Sequence, residues 1–234
     1  MKKYKYIIFD ADHTLVDFTL DERDALRRIF NENGFAYTEE QLVRASIISL
    51  DDWVEMGLLE VETEYVQREY HELCYVHILR TLQKVFDEFS CPLIPSEQSG
   101  KMLLYISQGK NSILNAEETV KELCEKGYSL CIATNGISEM QYGRLERFTP
   151  YLYKIFISEE IGTIKPNKRF FTSMLSELDA NPEDCLMIGD SWRSDMAGAL
   201  GVGMDVCFYN PKGYTAGGKP TYEIKDLKEL LNLL

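Results

Sequence analysis

Short runs of apolar residues recur along the chain and end in Gly, Asp or Asn. They are Tyr6–Phe9, Leu130–Ala133, Ile155–Ile157, Cys185–Ile188 and Val206–Tyr209. Continuous apolarity, without polar alternation, is typical of strands that are covered on both faces, as in a parallel sheet. From residue 115 onward these runs alternate with helical patterns, so the sequence predicts a doubly wound α/β fold with a parallel sheet.

The stretch between the first strand and residue 110 shows helical periodicity and no convincing strand. One predicted helical face in it consists of Val43, Ile47, Leu50 and Val54. An insertion of this length is expected to form a small subdomain of its own. The sequence therefore predicts a helical cap domain over residues 18–109, inserted between the two parts of an α/β core domain, residues 1–17 and 110–234.

The charge of the chain limits its partners. It has 234 residues, and 25 Lys and Arg against 38 Asp and Glu give a net charge of −13. That field repels a polymer of phosphates, so we expect no nucleic-acid partner, whereas a small phosphorylated metabolite can be met by local positive charge. The six cysteines form no CxxC pair, and no apolar run is long enough for a signal peptide or a membrane span. We therefore expect a cytoplasmic protein without a membrane partner.

The first chemical signal is Asp10-Ala11-Asp12, directly after the strand Tyr6–Phe9. Two carboxylates at the end of a buried strand cost several kcal/mol unless a cation or hydrogen bonds compensate them. A turn with an Asp helix cap explains one of these residues but leaves the other without a role.

Three further signals follow later strands: Thr134-Asn135-Gly136, Lys165, and Asp190 with Asp195. Each taken alone has a simple interpretation as a loop, a helix cap or a solvated side chain. All four signals lie at the ends of predicted strands, where α/β sheets bind their ligands. Together they predict one site.

Charge then decides which chemistry this site supports. Asp10, Asp12, Asp190 and Asp195 carry up to four negative charges, and Lys165 offsets one of them. A phosphate dianion cannot approach such a cluster without a hard divalent cation, and oxygen ligands favour Mg²⁺. With Mg²⁺ bound, the charges nearly balance a phosphate, so phosphoryl transfer is the predicted reaction.

In this scheme Asp10 is the nucleophile that forms an acyl phosphate. Asp12 protonates the leaving alkoxide and then deprotonates the attacking water. Mg²⁺ is bound by Asp10, Asp190 and the backbone carbonyl of Asp12, and by Asp195 either directly or through another ligand. The oxygens of the transferred group are stabilised by Thr134, the Asn135 amide and Lys165.

These residues resemble the four motifs, in order, of the haloacid dehalogenase superfamily of phosphatases. Asp10-x-Asp12-x-Thr14 matches the first motif, Thr134 the second, Lys165 the third, and Gly189-Asp190 with Asp195 the fourth. The helical insertion after the first motif is similar to the cap that opens and closes over the active site in that family. Dehalogenating members lack the acid found here at Asp12, so the resemblance implies a phosphate-transferring enzyme.

A finer resemblance is to the pyrimidine nucleotide 5′-nucleotidases of this superfamily. It rests on Ile132-Ala133-Thr134-Asn135-Gly136, Ile157–Gly162 and Lys165–Lys168. It implies hydrolysis of nucleoside 5′-monophosphates, pyrimidine ones especially. His13 departs from the residues common at its position in the family, and it is either a contact to the leaving group or an ordinary turn residue.

Two alternatives remain open at this point. One is a phosphatase or mutase for small phosphorylated acids or sugars, such as phosphoglycolate. The other is a phosphorylation-sensing module similar to a response-regulator receiver, although receivers lack the helical insertion. Four cap aromatics either stack on a base or pack in the cap: Trp53, Tyr65, Tyr70 and Tyr75. The oligomeric state is not predicted.

Overall fold

The computed structural model describes residues 3–234. The chain divides into an α/β unit, formed by residues up to Asp17, Ser112–Asn135 and Leu145–Leu234, and a helical unit, formed by Phe18–Asn111 and Gly136–Arg144. The expected division placed residues 110–111 and 136–144 in the α/β core. In the structure they lie in the helical unit, where Asn111 and Arg144 both bond the buried carboxylate of Asp21.

Ten α-helices lie in the described residues 3–234. They are α1 (Phe18–Glu32), α2 (Glu39–Glu55), α3 (Glu64–Glu88), α4 (Pro95–Ser107), α5 (Ala116–Glu125), α6 (Ser138–Leu145), α7 (Ser158–Ile161), α8 (Lys168–Leu178), α9 (Ala197–Leu200) and α10 (Leu230–Leu233). Across residues 3–234, none of them combines the length and the apolarity that crossing a bilayer requires.

The α/β unit is built on a parallel sheet. Within the described residues its strands are β1 (Tyr6–Phe9), β2 (Ser129–Thr134), β3 (Leu152–Ile157), β4 (Cys185–Gly189), β5 (Asp205–Tyr209) and β6 (Tyr222–Ile224). Their order in the sheet is β3-β2-β1-β4-β5-β6, and every neighbouring pair is parallel. The predicted doubly wound α/β fold is confirmed, and β6 is a strand that the sequence analysis did not predict.

Both faces of the sheet are covered, which explains the continuous apolarity of its strands. Ile7 and Phe9 of β1 point into one apolar cluster, to which α5 and α10 contribute. Tyr6 and Ile8 point into another cluster on the opposite face, to which α8 and α9 contribute. Because successive strand residues alternate between faces, neither face of β1 has room for a polar residue.

In the helical unit, α2 does not bury the face that the sequence analysis singled out. Its buried residues are Leu42, Ala45, Ile48, Ser49 and Asp52. Val43, Ile47, Leu50 and Val54 are instead between 45% and 59% exposed. The helix begins after a capping box in which the Thr38 hydroxyl accepts from the Gln41 N–H and the Gln41 side chain accepts from the Thr38 N–H.

Candidate active site

Parallel strands place the predicted residues at one edge of the sheet. Asp10 follows β1, Thr134 ends β2 and Asp190 follows β4. Strands β2 and β4 pair with β1 on either side. The backbone N–H of Asp10 extends the sheet by donating to the Ile188 carbonyl at 2.8 Å. The carboxyl ends of these strands therefore bring residues that are far apart in sequence into one site, all within the α/β unit.

Lys165 lies at the centre of this site, and only 1% of it is exposed. Its Nζ atom lies 2.6 Å from Oδ1 of Asp10, 2.6 Å from Oδ1 of Asp195 and 2.6 Å from the carbonyl oxygen of Ala133. An ammonium group has three N–H donors, so these contacts use its full capacity and fix its position.

The electrostatic surroundings keep Lys165 charged. Burial by itself would lower the pKa of its ammonium group, but the carboxylates of Asp10 and Asp195 outweigh burial and raise the pKa above its usual value. With its three N–H donors engaged, this immobile ammonium group can stabilise nearby anionic oxygens through its charge.

Three carboxylates lie together beside this lysine. Asp10, Asp190 and Asp195 each offer an oxygen, and these oxygens lie within 4.8 Å of one another. Burial raises the pKa of Asp10 well above its usual value despite the opposing charge of Lys165. Burial and the charge of Asp195 raise the pKa of Asp190 to about 7. One ammonium group leaves the cluster with excess negative charge, and oxygen donors in this arrangement suit a hard divalent cation.

Asp195 is the most deeply buried of the three acids, and both of its oxygens bond to protein donors. Oδ1 accepts from Lys165, and Oδ2 accepts from the backbone N–H of Ser191 at 3.1 Å. Gly189 makes this approach feasible, since a Cβ atom at that position would lie 2.2 Å from Oδ2 of Asp195. The geometry thus favours Asp195 as the residue that positions Lys165, and favours Asp10 and Asp190 as the carboxylates that could hold a metal.

Asn135 also contacts Lys165, through the backbone. Its Oδ1 atom accepts from the Lys165 N–H at 2.7 Å, and its Nδ2 atom donates to the Lys165 carbonyl at 2.9 Å. Thr134, the preceding residue, is fully buried at the end of β2. Gly136 belongs to the helical unit, where a Cβ atom would lie 2.6 Å from Nε2 of Gln141.

Asp12 and His13 occupy the turn after β1. Asp12 is half-buried and lies outside the group of three carboxylates, although its charge contributes to the raised pKa of Asp190. His13 is exposed and has φ 61°, and its backbone N–H donates to the Val16 carbonyl at 2.8 Å. Glycine adopts this left-handed conformation most easily, which identifies His13 as a turn residue by its backbone.

The sequence analysis gave no role in the site to two further groups. The Thr14 hydroxyl donates to Oδ2 of Asp10 at 3.4 Å, and the Ala133 carbonyl accepts from Lys165. Thr14 was visible as part of the first motif, four residues after Asp10. The carbonyl carries no signal in the sequence, because every residue has a backbone carbonyl and only the fold decides which one meets Lys165.

The cap aromatics, for which both stacking on a base and packing in the cap were open, differ in their burial. Trp53 contacts the rings of Tyr70 and His77 edge-on, with centroids 6.0 and 5.0 Å apart. Tyr70 is 6% exposed, whereas Tyr65 is 55% exposed. Trp53 and Tyr70 thus pack inside the helical unit.

Comparison with known proteins places the chain among hydrolases. A family model for haloacid dehalogenase-like hydrolases matches residues 7–209. The pyrimidine 5′-nucleotidase PynA of Streptococcus pneumoniae is 29% identical over 99% of this chain and 95% of its own length. The pyrimidine 5′-nucleotidase YjjG of Escherichia coli is 29% identical over 99% and 98%. The structure of the HAD-hydrolase YfnB from Bacillus subtilis bound to magnesium has a TM-score of 0.82 at 27% identity and covers 99% of both chains.

Proposed function

The chain belongs to the haloacid dehalogenase-like hydrolases, and from that premise we propose that it is a Mg²⁺-dependent phosphatase of nucleoside 5′-monophosphates with a preference for pyrimidine nucleotides. The observation that carries the proposal is the contact of Lys165 with Asp10, 2.6 Å long, within a buried cluster of three carboxylates. Family membership makes the chain an enzyme, which argues against the receiver-like module.

The residues present fit Mg²⁺. Lys165 compensates one of the three clustered carboxylates, and Asp195 is already bonded to Lys165 and to Ser191. Asp10, Asp190 and the backbone carbonyl of Asp12 would hold the ion. When bound, Mg²⁺ would supply positive charge that offsets the carboxylates and polarises a phosphate oxygen.

The proposed reaction has two steps, both on Asp10. In the first, an Asp10 carboxylate oxygen bonds to phosphorus, the bond from phosphorus to the ester oxygen breaks, and Asp12 gives its proton to the departing alkoxide. In the second, Asp12 removes a proton from water as that water attacks phosphorus, and the bond from phosphorus to Asp10 breaks. The products are the nucleoside and inorganic phosphate, and both aspartates return to their starting forms.

Three residues would stabilise the phosphoryl group during transfer. The Lys165 ammonium group is positioned by three hydrogen bonds before any substrate binds. Thr134 and the backbone N–H of Asn135 follow at the end of β2, next to the strand that carries Asp10. Donors held in advance cost little reorganisation when charge develops on the phosphoryl oxygens.

The nucleotide preference rests on relatives rather than on a contact. PynA and YjjG, which are named pyrimidine 5′-nucleotidases, are similar to this chain over almost its whole length. At 29% identity such a likeness supports the substrate class as a proposal.

Phosphate release from a panel of phosphomonoesters tests this function. The panel contains dUMP, dTMP, a purine monophosphate, phosphoglycolate and glyceraldehyde 3-phosphate, each measured with Mg²⁺ and with EDTA. We expect the pyrimidine nucleotides to be turned over fastest, with no release in EDTA and none from Asp10→Asn. If phosphoglycolate is turned over as fast as the pyrimidine nucleotides or faster, the protein is a phosphatase of small acids or sugars and not a nucleotidase. Unchanged release in EDTA would remove the metal from the proposal.

A further inference from the structure

Helix α2 carries apolar side chains on two opposite faces. Ala45 and Ile48 are buried among the other helices of the unit, each at most 4% exposed. At about 100° per residue, the residues that lie opposite them are the four exposed ones. We call this set the outer face of α2: Val43, Ile47, Leu50 and Val54. Four branched side chains in one row, each about half exposed, form an apolar surface that nothing in the described chain covers.

We propose that the outer face of α2 binds the same face of a second copy of the chain, with the two helices antiparallel. The spacing of the four residues is four, three and four, which is the repeat that forms the seam between two packed helices. An isologous contact of this kind needs a surface that is complementary to itself. The charges beside the row meet that requirement.

Arg44 and Asp51 are exposed, carry opposite charges and lie seven residues apart, so they flank the row on the same side. A two-fold axis midway between them sets each Arg44 opposite the Asp51 of the other copy. An axis one residue further along the helix pairs Val43 with Val54 and Ile47 with Leu50. In a parallel arrangement the charged flanks of the two copies would lie on opposite sides of the seam, and Arg44 and Asp51 could not pair between the copies.

Arg44 is held on its side of the row by its own chain. Its Nε and Nη2 atoms donate to the Glu88 carboxylate at 2.7 and 3.1 Å. The contact is small, because a standard interface uses about 20–30 residues from each partner. Two copies that each carry a charge of −13 also repel. We therefore expect a weak dimer in rapid exchange with the monomer.

Sedimentation velocity of the full chain over a wide range of concentration tests the contact. The expected result is a reversible shift from monomer to dimer as concentration rises. Leu50→Lys should abolish this shift, because it places an ammonium group in the centre of the seam. Leu104→Lys is the matched control, since Leu104 is 44% exposed on α4, away from the row. The proposal is overturned if the chain stays monomeric throughout or if the Leu50→Lys protein dimerises normally. In that case the outer face of α2 would bind a different protein.

Cysteine cross-linking tests the antiparallel orientation. In that arrangement residue 43 faces residue 54 of the other copy, whereas the two residues 43 are about 16 Å apart. A mixture of Val43→Cys and Val54→Cys chains should give a disulfide-linked heterodimer under mild oxidation, and each variant alone should not. The unmodified chain measures the background from the native cysteines. Cross-linking of Val43→Cys with itself, or none in the mixture, contradicts the arrangement.

Discussion

The side chain of Asn135 and the backbone of Lys165 are hydrogen-bonded in both directions, at 2.7 and 2.9 Å. Asn135 follows β2, and Lys165 lies on the loop between α7 and α8. The paired bonds join two loops at the point where the Lys165 side chain turns into the acidic cluster. The lysine is therefore positioned at both ends, by Asn135 on its backbone and by two aspartates on its Nζ atom.

Asn135→Ala should impair catalysis through the position of Lys165. A displacement of about 1 Å at a catalytic group can cost about 100-fold in rate, so we expect phosphate release to slow by about 10- to 100-fold. Asn135→Asp keeps the acceptor for the Lys165 N–H but loses the donor to the Lys165 carbonyl. Its rate of phosphate release should lie between those of the native protein and Asn135→Ala. Initial rates at saturating nucleotide measure the effect. Equal kcat values for the native and Ala proteins would show that Asn135 does not position the lysine.

Lys165→Met should remove the charge while keeping much of the side-chain volume. Loss of one preorganised charge at a developing anion costs about 10²–10³ in kcat, and we expect a reduction of that size. The variant should also unfold more easily, since Asp10 and Asp195 then lack their buried counter-charge.

The control for this change is Lys168→Met, in the same segment but exposed. It should leave both the rate and the melting temperature close to those of the native protein. If Lys165→Met releases phosphate at the native rate, the lysine is outside the reacting site.

The sequence allowed the prediction of the sheet and of the site because both depend on local signals. A strand covered on both faces must be apolar at every position, as in β1 and β4, and a polar residue at its end then stands out. Asp10 and Asp190 stand out in this way, and they were predicted as site residues together with Lys165 and Asp195, which lie further along the chain after β3 and β4. The contact of Asp195 with Lys165 was not predicted, because it depends on which carboxylate oxygens the Lys165 ammonium group reaches.

Which face of α2 is buried was not predicted, and the reason is different. Periodicity shows which residues share a face, but it does not show which face is covered. The covered face carries Ser49 and Asp52, whose polarity is compensated by His77 on α3. Such partners are set by tertiary packing and are invisible in the sequence of α2 alone.

The buried ion pair of Asp21 and Arg144 was also missed, because 123 residues separate its members. Both side chains are fully buried, and the Arg144 Nε atom lies 2.8 Å from Oδ2 of Asp21. Asp21→Ala would leave the guanidinium group buried without its counter-charge. We expect the free energy of unfolding to fall by about 3–5 kcal/mol.

Urea denaturation measures this loss. Asp24→Ala is the control on the same helix, since Asp24 pairs with Arg27 at the surface and should change stability by less than about 1 kcal/mol. Similar losses in the two variants would contradict the special role of the buried pair.

The pH dependence of stability should report Glu22, which is buried in the helical unit. Burial raises the pKa of Glu22 to about 7, although a hydrogen bond from Ser49 and the charge of Arg23 act in the opposite direction. The folded chain thus prefers the protonated form, and the unfolded chain ionises near 4.5. The stability that this preference contributes is fully present below pH 4.5 and is lost as the pH rises through about 7.

Glu22→Gln isolates this effect, because glutamine keeps the neutral shape and does not ionise. One pKa unit corresponds to about 1.4 kcal/mol, so the native protein should lose about 3 kcal/mol relative to Glu22→Gln between pH 4.5 and pH 8. Burial lowers the pKa of His77, but that residue is common to both proteins and cancels in the difference. Ser49→Ala removes a hydrogen bond that favours the ionised form of Glu22, so the pKa of Glu22 in the folded state should rise. The loss of stability in the otherwise native chain should then extend to higher pH. Urea denaturation at several pH values gives the curves, and parallel curves for the native and Gln proteins would show that Glu22 ionises normally in the folded state.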